Sequence, residues 1–257
     1  MRLTTLGTSS HYPHPGAPCT GMLLEHGDVS VWIDAGPGTL AELQRHRPLA
    51  ALSAIWISHG HADHAADLLP AFYAYRYGDI HTAEPVPLLA PADLPDRLTG
   101  FLGAAAGPEL ERAFAFTALA SDGRWEAGGL SLRWVAVQHD VEAFALRAEA
   151  DGASLVYTGD SGPCAALDEL ASGCDLLVSE AGVDARDAGE PLVHLTPEEA
   201  GELAQRAGAR RLLLTHLALG LSREEAVRRA STRFTGAVEA AVVSGEPMSV
   251  VLPTVES

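Results

Sequence analysis

Residues 59–64 read His59-Gly60-His61-Ala62-Asp63-His64, and this stretch restricts the fold more than any other part of the chain. Three imidazoles and a carboxylate in so short a segment cannot avoid one another. At neutral pH, imidazole nitrogens and an ionised carboxylate are good ligands for zinc and similar borderline metals. The run before them, Ala54-Ile55-Trp56-Ile57-Ser58, is short, apolar and partly β-branched, as a buried strand is. A helical pattern follows from Ala65 to Tyr77. The motif is therefore expected in a loop at the carboxyl end of a strand, where open α/β sheets place their active sites.

The same placement recurs three times. His139 follows Trp134-Val135-Ala136-Val137-Gln138, Asp160 follows Leu155-Val156-Tyr157-Thr158-Gly159, and His216 follows Leu212-Leu213-Leu214-Thr215. Strand ends on one side of a sheet converge, so these side chains are expected to meet the motif. His11 and His14 in a proline-rich loop, His26 in a turn, His46 at a helix end and His81 in a polar loop read as surface or structural residues.

Strands are predicted at Arg2–Leu6, Gly21–Glu25, Val29–Ile33, Ala54–Ile57, Val86–Ala90, Phe114–Leu119, Leu130–Val137, Phe144–Ala150, Ser154–Tyr157, Leu176–Val178, Arg211–Thr215 and Val238–Val242. Helices are predicted at Thr39–His46, Pro91–Leu102, Cys164–Ala171, Pro197–Ala207 and Arg223–Arg233, and Gly103–Pro108 reads as a small-residue linker. Thr196 and Glu199 have the spacing of a capping box before the Pro197 helix. Strands then helices, repeated once, predict two packed sheets with helices outside both, in one domain over 1–257.

The net charge is −17 and every basic residue is arginine. Nucleic acid binding through phosphate neutralisation is not expected of such a chain, nor is adsorption to an anionic membrane. A small anionic substrate remains compatible, because bound metal ions dominate the local field. Cys19, Cys164 and Cys174 are odd in number and lack CxxC spacing, so no disulfide framework is expected. No apolar run reaches the length of a membrane span and Met1–Ser10 lacks the pattern of a signal peptide, so the expected compartment is the cytoplasm.

The motif His59-x-His61-x-Asp63-His64, with His139, Asp160 and His216 following in order, resembles the metallo-β-lactamase superfamily over nearly the whole chain. The resemblance implies an αββα sandwich holding two divalent ions: one on His59, His61 and His139, the other on Asp63, His64 and His216, with Asp160 bridging. Zinc is the expected metal, and manganese and iron suit the same ligands. Such a pair of ions supplies a hydroxide at neutral pH and neutralises a phosphoryl oxygen. Asp63 would also orient the nucleophile. Asp34, at another strand end, reads equally as a partner fixing a ligand imidazole or as an Asx-type turn.

Within the superfamily, Leu6-Gly7-Thr8-Ser9-Ser10 is similar to the opening of RNase Z, and His194-Leu195-Thr196-Pro197-Glu198-Glu199-Ala200 to its histidine motif before a helix. Ser179-Glu180-Ala181-Gly182 stands where RNase Z has His-Glu-Ala-Thr, and only the Glu and Ala match. The resemblance implies His194 as a general acid tuned by Glu180; the alternative is a histidine that only shapes the loop before the N-cap. The tRNA-gripping arm of RNase Z has no counterpart here. The compact chain looks more like bacterial cyclic-nucleotide phosphodiesterases, whose motifs are similar to Gly159-Asp160-Ser161-Gly162 and His194-Leu195-Thr196. The expected function is thus hydrolysis of a small nucleotide phosphodiester. Carbonyl hydrolysis and an iron-holding redox role are alternatives on the same fold. A homodimer is expected from relatives. Phe72, Tyr73, Tyr75, Arg76 and Tyr77 read either as a substrate wall or as a helix packed on the sheet.

Overall fold

Period-two burial along the strands divides the apolar residues between two faces of each sheet. In the computed structural model, which describes residues 1–186, 189, 191–243 and 248–250, the first sheet runs in the order β14-β1-β2-β3-β4-β5-β6. Its strands are β1 (Arg2–Gly7), β2 (Gly21–His26), β3 (Val29–Ile33), β4 (Ala54–Trp56), β5 (Val86–Ala90), β6 (Phe114–Ala118) and β14 (Met248–Ser249). The second runs β13-β12-β11-β10-β9-β8-β7, built from β7 (Asp122–Ala127), β8 (Leu130–Ala136), β9 (Phe144–Ala150), β10 (Ala153–Tyr157), β11 (Leu176–Ala181), β12 (Arg211–Leu217) and β13 (Ala237–Ala240). Residues 251–257, included in the single-domain reading of the sequence, lie outside the described ones.

Leu3, Met22, Leu24, Val31 and Trp56 of the first sheet meet Leu132, Trp134, Leu146, Leu155 and Val178 of the second in one core between the sheets. Their alternates face outward. Leu23, Trp32 and Ile55 pack under α1 (Thr39–His46), α3 (Leu68–Arg76), α4 (Leu94–Leu102) and α5 (Gly107–Ala113). Val156, Leu177 and Leu212 pack under α6 (Ala165–Ala171), α7 (Pro197–Ala207) and α8 (Arg223–Ala230). Sheets covered on both faces need strands apolar on both faces, and Ala54, Ile55 and Trp56 of β4 are all fully buried. The layers are those expected, helix–sheet–sheet–helix.

The parallel blocks fix where function can lie. β3, β4, β5 and β6 pair in parallel, as do β10, β11, β12 and β13. The carboxyl ends of β4, β10 and β12 open toward the same rim of the sandwich, because the residues that follow β4 and β10 meet His216 near the end of β12 there.

Several boundaries differ from expectation. The helix after the motif begins earlier and in two pieces, α2 (Ala62–Ala65) and then α3, so Asp63 and His64 sit in a helical turn and not in an open loop. The predicted linker contains a 3₁₀ turn, Ala104–Ala106, and α5 starts inside it, with Pro108 in its first turn, where proline's missing N–H costs no bond. β7 was not anticipated: it is a polar edge strand with no buried residue. β12 extends to Leu217, so His216 lies within the strand and not after it.

Candidate metal centre

His59 is fully buried and its ring is oriented by the residue before it. Ser58 Oγ donates to Asp34 Oδ2 at 2.8 Å, so it accepts from His59 Nδ1–H at 3.0 Å. His139 donates Nδ1–H to the Val193 carbonyl at 2.9 Å. Both rings therefore present Nε2 as a lone pair. His61 Nδ1 lies 3.0 Å from His59 Nε2 and 3.3 Å from His139 Nε2. Burial lowers the pKa of His59 and of His61, as does the proximity of other histidines. Three neutral nitrogens facing one another at hydrogen-bond distance, with too few protons to share, are arranged for a cation.

A second cluster lies beside the first. His216 Nε2 is 3.2 Å from Asp63 Oδ2 and 3.5 Å from Asp160 Oδ2. His64 Nε2 is 3.3 Å from Asp160 Oδ1 and 3.9 Å from Asp63 Oδ2. Asp160 Oδ2 is also 3.9 Å from His59 Nε2, so this carboxylate stands between the clusters. His64 Nε2 and Asp160 Oδ1 are buried without a hydrogen-bond partner. Burial opposes a charge on His64, but Asp160 and Asp34 pull its pKa well above the ordinary value. A proton thus sits where the site needs positive charge. Burial works to raise the pKa of Asp160, yet His216 and His64 hold it well below the usual carboxylate range. The donor set fits divalent ions, as the expected assignment requires: His59, His61 and His139 can hold one and Asp63, His64 and His216 the other.

Backbone geometry aims these groups. His216 has φ 47° and Asp34 has φ 55°, left-handed values that few residues other than glycine adopt. The pairing of β11 with β12 shifts between Glu180 and Ala181, and such a bulge re-aims the side chains beside it. Gly159, with φ 57°, leads Asp160 into place; a Cβ there would come within 2.8 Å of the Phe144 carbonyl. Asp34 is the partner of a candidate ligand imidazole and not merely a turn residue. It accepts from His64 Nδ1 at 2.7 Å, from Ser58 N at 2.7 Å and from Tyr157 OH at 2.7 Å.

His194 reaches the same rim from the loop before α7. Its Nδ1–H donates to Glu180 Oε1 at 3.0 Å, and Nδ1 lies 3.8 Å from Asp160 Oδ2. Burial opposes its charge, but the hydrogen bond to Glu180 and that residue's charge push its pKa up to about 9. Glu180 is fully buried and also accepts from Ser161 N and Gly182 N. Gly182 is glycine for lack of room: a Cβ would approach Glu180 Oε2 to 2.7 Å and His194 Nδ1 to 3.0 Å.

Of the aromatic segment, Tyr73 and Tyr77 are exposed, and three members read as core or surface rather than as a substrate wall. Phe72 and Tyr75 are buried in the outer core, and Arg76 pairs with Glu109 at 2.5 Å. Two residues at the rim, Asp140 and Tyr157, have no site reading from the sequence, and His11 reads from it as a surface or structural residue. Asp140 Oδ1 lies 3.1 Å from His139 Nε2 and 3.6 Å from His61 Nε2. His11 donates its backbone N–H to Asp63 Oδ2 at 2.9 Å. Tyr157 donates its hydroxyl to Asp34, as above. Asp140 alone carried a signal, its adjacency to His139.

The family profile described as a beta-lactamase superfamily domain matches residues 30–217. An uncharacterized protein of Mycobacterium tuberculosis is 37% identical over 251 residues, covering 94% of this chain and 90% of that protein. The metallo-beta-lactamase fold protein YhfI from Bacillus subtilis has a crystal structure that superposes with a TM-score of 0.84 at 28% identity, covering 96% of this chain and 98% of its own. The short form of human tRNase Z superposes with a TM-score of 0.78 at 21% identity, covering 98% of this chain and all of its own, a likeness of fold.

Proposed function

The chain belongs to the metallo-β-lactamase superfamily, and we propose that it is a dinuclear hydrolase of small phosphodiesters, with 3′,5′-cyclic nucleotides as the first substrates to test. Two divalent ions, zinc by preference, would acidify water and neutralise phosphoryl oxygens at this donor set. His59, His61 and His139 would hold one ion, Asp63, His64 and His216 the other, and Asp160 both. Asp63, kept ionised by its hydrogen bond to His216 although burial works against its charge, would also accept a hydrogen bond from the incoming water and so orient it.

The observation that carries the reading is the His194–Glu180 pair. An alkoxide leaving phosphorus is a strong base and needs a proton as the P–O bond breaks. With Nδ1–H held by Glu180 and its pKa at about 9, His194 is protonated at neutral pH and offers its Nε2–H to that oxygen. A general acid must come within hydrogen-bonding reach of the oxygen it protonates, and His194 stands beside the candidate ligands, its ring 5.1 Å from that of His139 and 5.9 Å from that of His216.

The test is a turnover assay on purified, metal-loaded protein. Cyclic nucleotides or bis(p-nitrophenyl) phosphate should be hydrolysed, with little action on lactones and thioesters. Activity confined to the carbonyl compounds would overturn the proposal.

A further inference from the structure

The solvent reaches the centre from one side. His59, His64, His216 and Asp160 are all but inaccessible, whereas the side chains of His61 and Asp140 are 35% and 60% exposed. The mouth is therefore bordered by His61 and Asp140, with His194 across it, since the rings of His139 and His194 are 5.1 Å apart. On the His61 side stands an arginine that the reaction above does not use. A Cβ added to Gly60 would lie 3.0 Å from Arg97 Nε, 3.1 Å from its Cδ and 3.4 Å from its Cζ. The guanidinium thus packs against the glycine between His59 and His61, in space that any other residue would fill.

Arg97 belongs to the first turn of α4, and the segment leading into that turn is fastened to the mouth. Glu142 Oε2 accepts from Ala92 N at 3.0 Å, tying the start of this helix to the loop that carries His139 and Asp140. Arg97 donates Nε–H to Asp93 at 2.6 Å, and neither Nη nitrogen has a hydrogen bond among the described residues. A guanidinium steadied at Nε with its two terminal nitrogens free is set to take an oxyanion through two parallel N–H bonds.

We infer that Arg97 is a specificity residue that binds a second anionic group of the substrate, a phosphate on the half of the molecule that stays opposite His194. This rests on the phosphodiester reading above and narrows it. The preferred substrate is a nucleotide ester with a further phosphate, and a 3′,5′-cyclic mononucleotide, with its single phosphate, leaves Arg97 unengaged.

The experiment is calorimetric titration of the metal-loaded protein with thymidine 5′-monophosphate and thymidine 3′,5′-bisphosphate. The wild type should bind the bisphosphate about tenfold more tightly, a gain typical of a charge-assisted pair, and the gain should shrink with added salt. Arg97→Ala should abolish the gain and leave monophosphate binding within about twofold. Asp93→Asn, which removes a competing carboxylate, should keep or widen it. Equal binding of the two ligands by the wild type, or an equal loss for both in Arg97→Ala, overturns the inference. A bisphosphate gain in a protein that hydrolyses no phosphodiester would uphold the Arg97 subsite and sink the earlier reading, so the two fail separately.

Discussion

Asp34 accepts four hydrogen bonds in a fully buried position, two from Ser58 and one each from His64 and Tyr157. Its job follows from that count: it fixes the imidazole of His64 with Nε2 turned inward. Asp34→Asn keeps the shape but replaces an acceptor oxygen with a donor, so the network loses a partner it cannot replace. Metal affinity should fall by roughly 10–100-fold, read by competition with a chromophoric chelator; unchanged affinity would remove Asp34 from this role. His194→Ala should behave differently. Its metal content should match the wild type while kcat falls by about 10²–10⁴-fold, and a variant with normal kcat would show that His194 only shapes its loop. The sequence displayed the candidate ligands because each follows or ends an apolar strand and their types are chemically unusual in combination. It could not display the partners of Asp34, since Tyr157 is brought from the other sheet. Nor could it decide between wall and core for Phe72 and Tyr75, because a helix with aromatics on more than one face gives no single direction.

The element that matters most to His194 is the start of α7. Thr196 Oγ1 accepts from Glu199 N at 3.2 Å and Glu199 Oε2 from Thr196 N at 2.8 Å, the capping box expected from the sequence. Arg186 extends it: both its Nε and Nη2 donate to Glu199, and Nη2 also donates to the His194 carbonyl. Burial works to raise the Glu199 pKa, but these bonds from Arg186 and Thr196 hold it below its ordinary 4.5. A carboxylate depressed on folding contributes stability above its unfolded value, and that contribution is lost as pH falls through the folded value. Chemical denaturation of Glu199→Gln should therefore show a smaller loss of stability than the wild type on going from pH 6 to about pH 3. Thr196→Ala should cost about 0.5–2 kcal/mol. Equal acid sensitivity of Glu199→Gln and wild type would contradict this account. Capping was legible because it is local, two side chains three residues apart. β7 and α5 were not: β7 is an edge strand whose inward face, Gly123, Trp125 and Ala127, is only half buried and carries a single large apolar residue, and the Gly107-Pro108 pair that opens α5 also has the composition of a loop.

At the scale of the molecule, the centre joins the two sheets. His59, His61, Asp63 and His64 follow β4 of the first, and His139, Asp160 and His216 come from the second. Ions bound there cross-link the halves of the sandwich and stabilise the folded state by mass action, by about 2.7 kcal/mol at a hundredfold excess over Kd. Exhaustive chelation should lower Tm, and restoring zinc should raise it in proportion to the logarithm of free metal; a Tm indifferent to both would mean that the clusters hold no ion. Among the described residues no helix is long and apolar enough to cross a membrane. The two-sheet layering was readable from the repeated run of strands then helices, whereas the facing of the sheets is a property of the assembled core.

The division of the centre between sheets has a consequence for how the protein is made. A ribosome delivers the first four candidate ligands long before His216, at about 5–20 residues per second. Until β12 has emerged and docked, the nascent chain carries half a chelate, exposed and able to bind whichever metal is at hand. The full donor set, and with it the full affinity for ions, exists only once the second sheet has closed over the first.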